Sequence, residues 1–240
     1  MADPIVVDFE GFANTRPVLA GVLVEGAFKQ FAFVDVEPGI ASAARASRVE
    51  CVRFADFCAE LMARARRERR SIAGYSMHER KWIAAGLGGP WPGDVEYVDA
   101  KRSAKAWRSR RHPEAAARVH PDRERMRQAN EWRGGHGNRL VDFVRLMGSA
   151  VPADYGDRGV TGTLRRVLVH ASRQGRWGGI SRSTRDAWRN LLRHNRFDCR
   201  WALMLLRRGG ARRRRSGRAA AFGARADPLA QPAFPFPRSS

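Results

Sequence analysis

The sequence predicts an α/β domain, a mixed sheet flanked by helices, and three observations carry that expectation. Three apolar, β-branched or aromatic runs open the chain: "PIVVDF", "RPVLAGVLVEG" and "FKQFAFVDVE". "RFADFCAELMARARRERR" follows, with Phe54, Phe57, Cys58, Leu61, Met62 and Ala65 at the i, i+3, i+4, i+7, i+8, i+11 spacing of one helix face. "SIAGYS", "MHERKWIAAGL" and "GDVEYVDAK" then alternate strand-like and helical patterns, which builds a sheet with helices on its faces.

Each element has its own local reason. The first three runs read as antiparallel strands, with Glu25-Gly26-Ala27 as a tight hairpin connection. The arginines closing the amphipathic helix suit the negative end of its dipole, and Gly88-Gly89 stops the next helix. Residues 102–137 are rich in Arg, Ala and His with little apolar periodicity, and read as a polar insertion or a solvated helical arm. "NRLVDFVRLMG" and "GVTGTLRRVLVH" restore apolar patterning. "STRDAWRNLLRHNRFDCRWALMLLRR" is the longest helix, with Ser183 as its expected N-cap and Asp186 in the capping-box position. One domain is expected over residues 1–206. Residues 207–240, with nine arginines, one aspartate and a Pro-rich end, read as a disordered tail.

Composition narrows the function classes. At 240 residues and 43% hydrophobic content the chain suffices for one good core. No stretch approaches the roughly 18 apolar residues of a membrane helix, and no basic segment followed by an apolar one opens the chain, so a soluble, cytoplasmic protein is expected. Cys51, Cys58 and Cys199 form neither a CxxC pair nor an even disulfide set, which argues against structural zinc. The net charge of +21 points to a polyanionic partner, DNA or RNA. Against that stands a compositional explanation: all but four of the 45 basic residues are arginines, a skew that GC-rich coding produces unaided.

The chemistry starts in "IVVDFEGFA". Side chains alternate along a strand, so Asp8 and Glu10 share one face while Val7 and Phe9 share the other. Two carboxylates side by side cost free energy unless one is protonated, both face water, or a cation lies between them. At the far end of the chain, in "HNRFDC", His194 and Asp198 are four residues apart and lie on one helix face. That face is close to an apolar stripe through Trp188, Leu191, Leu192, Cys199, Ala202 and Leu206, so Asp198 points toward the interior and needs a partner. Glu79, in "GYSMHERKWI", falls just after a short strand at the first turn of a helix, a place where α/β folds carry site residues.

Through "VDFEG", "YSMHER" and "HNRFDC" the chain resembles the DEDD exonucleases of the ribonuclease H-like superfamily, and within it the predicted RecB-type nucleases with a ribonuclease H-like domain. The resemblance spans about residues 1–206 and implies a ribonuclease H-like sheet and a two-metal phosphodiesterase, a 3′–5′ exonuclease using Mg2+ or Mn2+. It makes Asp8, Glu10 and Asp198 metal ligands, with Glu10 also orienting the water, Glu79 completing the acidic set and His194 acting as general base. The sequence departs from the family pattern twice. The second-motif acid is Glu79 rather than aspartate, and His194 precedes Asp198 by four residues, the spacing of the tyrosine subclass rather than the histidine one.

Other readings compete. Asp99 and Asp142 end strand-like runs and are alternative ligands, with structural turns the blander account. Asp99 and Lys101 form a DxK on a strand, as in restriction-type nucleases. Lys101, Arg102 and Lys105 are candidate phosphate contacts or a solvated face. Tyr75 and Trp82 read as ordinary core residues. Finally, the fold could serve a non-catalytic nucleic-acid-binding protein acting through its arginines.

Overall fold

The computed structural model describes residues 2–12, 14–117, 137–152, 155, 159–174 and 177–210. Residues 118–136 of the expected insertion and 211–240 of the expected tail lie outside them. Six strands form one mixed sheet: β1 (Ile5–Gly11), β2 (Pro17–Val24), β3 (Ala27–Phe33), β4 (Glu50–Val52), β5 (Ile72–Gly74) and β6 (Tyr97–Asp99), in the order β4-β3-β2-β1-β5-β6. The β1–β2 and β2–β3 pairs are antiparallel, whereas β1–β5, β5–β6 and β3–β4 are parallel. This is the α/β class read from the sequence, in an arrangement consistent with a ribonuclease H-like fold. Among the described residues no helix is long and apolar enough to cross a membrane.

The β2–β3 hairpin turns on two residues, Glu25 and Gly26, at φ of 50° and 85°. Two positive φ values in a row match the right-handed twist of the strands. Ala27 already pairs with Val24 and belongs to β3.

Helix α1 (Ala41–Ala46) precedes β4 and α2 (Phe54–Arg67) follows it. Ile5, Val7 and Phe9 of β1 point to the α2 side, packed with Phe54, Phe57, Leu61 and Met62. Each such side chain removed from water contributes about 1.5–3 kcal/mol. The opposite face of β1 begins with Val6, which joins a cluster with Ala73, Cys199 and Ala202. By strand alternation Asp8 and Glu10 are on that second face.

That face is covered by the last helix. Numbered in chain order, α3 is Met77–Gly86, α4 Ala100–Arg111, α5 Pro113–Ala117, α6 Leu140–Leu146, α7 Val160–Gln174 and α8 Arg182–Gly210. Trp188 and Leu191 of α8 pack with Leu19 of β2 and Val167 of α7. Farther along, Trp201 and Leu205 pack with Ala104 and Trp107 of α4 and Phe143 of α6.

Four expectations are corrected. The N-terminus of α8 is capped by Ser181, whose Oγ accepts from the Thr184 amide at 3.3 Å; Ser183 is inside the helix, and Asp186 pairs with Arg189 at 2.7 Å. The described start of the 102–137 stretch is not a solvated arm, because α4 buries Ala104, Trp107 and Arg108 against its neighbours. Short-period alanines and an arginine that donates to the Gly137 carbonyl concealed this packing from a hydrophobicity pattern. Asp142 lies in α6 rather than on a strand, and its carboxylate accepts from the Arg139 amide at 2.9 Å. Asp99 ends β6 and caps α4 through the Arg102 amide at 2.9 Å, while Lys101 already belongs to that helix, so this DxK does not lie on a strand.

Candidate metal centre

Asp8 and Glu10 enter the site from β1, a strand inside the sheet with antiparallel β2 on one side and parallel β5 on the other. Both carboxylates are buried. Facing them, α8 supplies His194, Asn195 and Asp198. Consecutive side chains on a helix are about 100° apart, so the interior-facing arc takes Asn195 toward β1–β2 and its neighbours toward the rim.

Asn195 is fully buried and organises the base of the site. Its Nδ2 donates to Asp8 Oδ2 at 2.8 Å and to the Asp8 carbonyl at 3.1 Å, while its Oδ1 accepts from Gln30 Nε2 at 3.0 Å. Gly21 on β2 makes the approach possible, since a Cβ there would lie 2.3 Å from Asn195 Oδ1.

Glu10, His194 and Asp198 form the rim. One ligand-type atom from each lies within 4.8 Å of the others. His194 Nε2 is 3.3 Å from Asp198 Oδ2 and 3.8 Å from Glu10 Oε1. Tyr155 reaches in between α6 and α7: its hydroxyl donates a short hydrogen bond to Asp198 Oδ1, and its ring stacks on His194 at a centroid distance of 4.3 Å. Asp8 is outside the three-atom group, although the charges of Glu10 and Asp198 reach it.

Glu79 is buried and close enough for its charge to act on Asp8, Glu10 and Asp198. Its Oε2 accepts from the Ser76 amide at 3.0 Å, closing a capping box at the start of α3, and lies 3.4 Å from the Tyr97 hydroxyl. Gly74 permits this closeness, because a Cβ there would lie 2.8 Å from Glu79 Cβ. The acid expected to complete the set is therefore close by but engaged in capping its helix.

Burial dominates the electrostatics. Desolvation pushes the Asp8 carboxyl well above the usual range, helped by Glu10, Asp198 and Glu79 and opposed by the Asn195 hydrogen bond. Desolvation also pushes up Glu10, with Asp198 and Glu79 adding to it. Asp198 is pushed up to about 7, first by burial, against the lowering hydrogen bond from Tyr155. Burial lowers His194 to about 4. Each shift reports the same cost: charge in this pocket is under-solvated.

One atom sharpens that statement. Glu10 Oε1 is buried with no hydrogen-bond partner, and its 3.8 Å separation from His194 Nε2 is too long for one. A divalent cation fits an orphaned carboxylate oxygen beside a second carboxylate and an imidazole nitrogen, and an oxygen-dominated donor set suits Mg2+ or Mn2+. The described residues bring one such three-residue group together.

Of the residues named from sequence, Glu10, His194 and Asp198 meet, and Asp8 and Glu79 interact with them through charge, Glu79 being hydrogen-bonded to Ser76 at the start of its helix. Asn195 and Tyr155 were missed. Asn195 had a signal, an amide one turn before Cys199 in the buried stripe of α8. Tyr155 had none, because its neighbours in sequence carry no periodic pattern. Trp82 is half-buried, with its Nε1 donating to His78 Nε2 at 2.8 Å, and a recess of about 240 Å3 beside Glu10 is lined by Phe12, Asn14, His78, Trp82 and Thr161.

Comparison of the chain with family models, with curated proteins and with solved structures returned no match.

Proposed function

We propose that this protein is a metal-dependent nuclease, hydrolysing phosphodiester bonds of DNA or RNA, with 3′–5′ exonuclease action as its expected form. The observation that carries the reading is the orphaned Glu10 Oε1 within a cluster of buried acids. Four carboxyls raised by desolvation, three of them further by neighbouring carboxylates, are a poor structural device, since apolar residues of the same volume would stabilise the fold better. They are a good device for holding a cation.

Glu10 and Asp198 would hold Mg2+ or Mn2+ together with His194, with Asp8 adjoining. When bound, such an ion supplies Lewis acidity toward a phosphoryl oxygen and a nucleophilic water at neutral pH. The protein's own groups do the positioning. Asn195 fixes the Asp8 carboxylate through Nδ2, and Tyr155 fixes Asp198 through Oδ1, leaving Oδ2 toward His194. Burial lowers His194 to about 4 and keeps its imidazole neutral near neutral pH, the form in which a ring nitrogen can ligate a metal. The aromatic recess beside Glu10 offers Phe12 and Trp82 as faces on which a base can stack.

The test is incubation of the purified chain with end-labelled single- and double-stranded DNA and RNA, with Mg2+ or Mn2+ and then with chelator. Metal-dependent shortening from 3′ ends is expected. Binding without cleavage of any substrate would favour the non-catalytic nucleic-acid-binding reading instead.

A further inference from the structure

Helix α8 presents a second chemical surface on its outer side. Arg182, Arg189, Arg193, Arg196, Arg200 and Arg207 are all exposed. At 100° per residue they fall within an arc of about 60°, and at 1.5 Å per residue they extend along about 38 Å of helix. Asp198 lies half a turn away on the same helix, so this ridge points away from the acidic pocket.

Few acids neutralise the ridge. Asp186 takes Arg182 at 3.9 Å and Arg189 at 2.7 Å, and Asp3 takes Arg207 at 2.5 Å. Neither Arg196 nor Arg200 has a carboxylate partner among the described residues. Arg196 instead lies 5.6 Å from the Phe28 ring centroid. Partial burial, and secondly the Arg200 charge, lower its pKa. Two uncompensated guanidinium groups one turn apart repel each other, a cost that an anion bridging them removes.

The chemistry of the ridge selects among anions. Guanidinium forks match phosphate oxygens two at a time. Beside Arg200 and Arg207 is a recess of about 540 Å3 floored by Leu23, Leu203 and Met204, which gives a flat apolar group room next to a phosphate. A lipid surface fits less well, because the exposed large apolar side chains of the described residues are Met77 and Val169, neither on this face.

The geometry points to the outer face of α8 as a sequence-independent nucleic-acid backbone site, separate from the acidic pocket and holding the chain while its end is elsewhere. This rests on the reading that the protein's partner is a nucleic acid, but not on cleavage.

The test uses the full chain in chelator, so that no cleavage is involved. A ridge variant, Arg189→Gln, Arg196→Gln, Arg200→Gln, is compared with a control variant, Arg53→Gln, Arg67→Gln, Arg69→Gln, which removes the same charge around α2 on the other side of the sheet. Binding of a 20-base single strand and a 20-base-pair duplex is followed by anisotropy against salt, and binding to anionic vesicles is measured in parallel. Each lost contact removes about 0.9 (duplex) or 0.7 (single strand) from the slope of log K against log salt. The ridge variant should flatten the slope by two to three contacts, and the control by less than one. Equal flattening in both variants, an unchanged slope in the ridge variant, absence of nucleic-acid binding by the parent chain, or a loss confined to vesicles would each overturn the assignment. Loss of cleavage in a separate assay with intact ridge-dependent binding would instead count against the nuclease reading alone.

Discussion

Asn195 Nδ2 donates to both the carboxylate and the carbonyl of Asp8, at 2.8 and 3.1 Å, across 187 positions of sequence. One amide thereby locks the helix that carries Asp198 to the strand that carries Glu10. Asn195→Ala should leave the buried Asp8 groups without this donor, while Gln30 keeps its bond to the Leu192 carbonyl, and cost about 1–3 kcal/mol of stability. Denaturant melts of the two proteins check this, and an unchanged midpoint would mean that packing alone holds the helix in place.

Gly21→Ala acts on the same contact from below. Its Cβ would lie 2.3 Å from Asn195 Oδ1 and 3.0 Å from Phe28 Cε2, so a loss of about 1–3 kcal/mol is expected from overpacking. In the Asn195→Ala background the loss should shrink, because one of the two clashing groups is gone. A double-mutant cycle measures that coupling; additive effects would place the strain elsewhere.

Asp8→Asn should abolish cleavage while leaving the melting temperature of the metal-free protein unchanged or raised. It removes a charge that Glu10, Asp198 and Glu79 oppose, and an amide oxygen still accepts from Asn195. A marked loss of stability without metal would make Asp8 a structural acid.

Tyr155→Phe keeps the ring on His194 but removes the hydroxyl from Asp198. Groups that orient a ligand from behind are worth about 10–100-fold in metal affinity or activity. Mn2+ titration by calorimetry should show the weaker binding directly. Unchanged affinity would make the Tyr155 hydroxyl incidental.

Stability of the metal-free protein should depend on pH with a definite sign. Asp8, Glu10 and Asp198 have raised pKa values, Asp198 at about 7. A carboxyl raised on folding adds stability while protonated and loses it as pH climbs through its folded value. His194 runs the other way: lowered from 6.5 to about 4, it adds stability above 6.5 and loses it as pH falls toward 4. Above pH 6.5 the carboxyls alone act among these groups; Asp198 loses its share up to its folded value of about 7, so stability and with it the melting temperature should fall from pH 6.5 upward, by at most about 1.4 kcal/mol per pH unit for each carboxyl still protonated in the folded state. Saturating Mg2+ should flatten the fall, and Asp198→Asn should remove one carboxyl's share. A melting temperature that rises over this range without metal would contradict the buried, protonated site.

Local pattern alone determined the strands β1, β2 and β3, helices α2 and α3, and the long α8. In α2 and α8 apolar residues recur at the helical period and burial follows it, whereas β1 opens on an apolar run and β2 is one throughout, both buried on both faces. Pattern also set Asp8 beside Glu10 and His194 above Asp198, because both relations follow from side-chain geometry within one element. Short elements were unevenly legible: β5 and β6 show in the pattern, whereas β4, with three residues, gains its place only by pairing with β3. Nor was α4 recognisable as packed, since its buried face is made of alanines, a tryptophan and an arginine.

Only the tertiary structure decided what meets across elements. Asn195 reads in sequence as a polar break in a stripe, and becomes the link to Asp8 only when α8 crosses β1. Tyr155 has no local signature, and gains its role from where its chain segment passes Asp198. Glu79 shows the reverse, since its helix-start signal was legible but its engagement with Ser76 and Tyr97 was not. The physical reason is common to all three. Periodicity records which side of an element faces inward, whereas hydrogen-bond partners and the mutual desolvation of charges depend on distances between elements that no local pattern encodes.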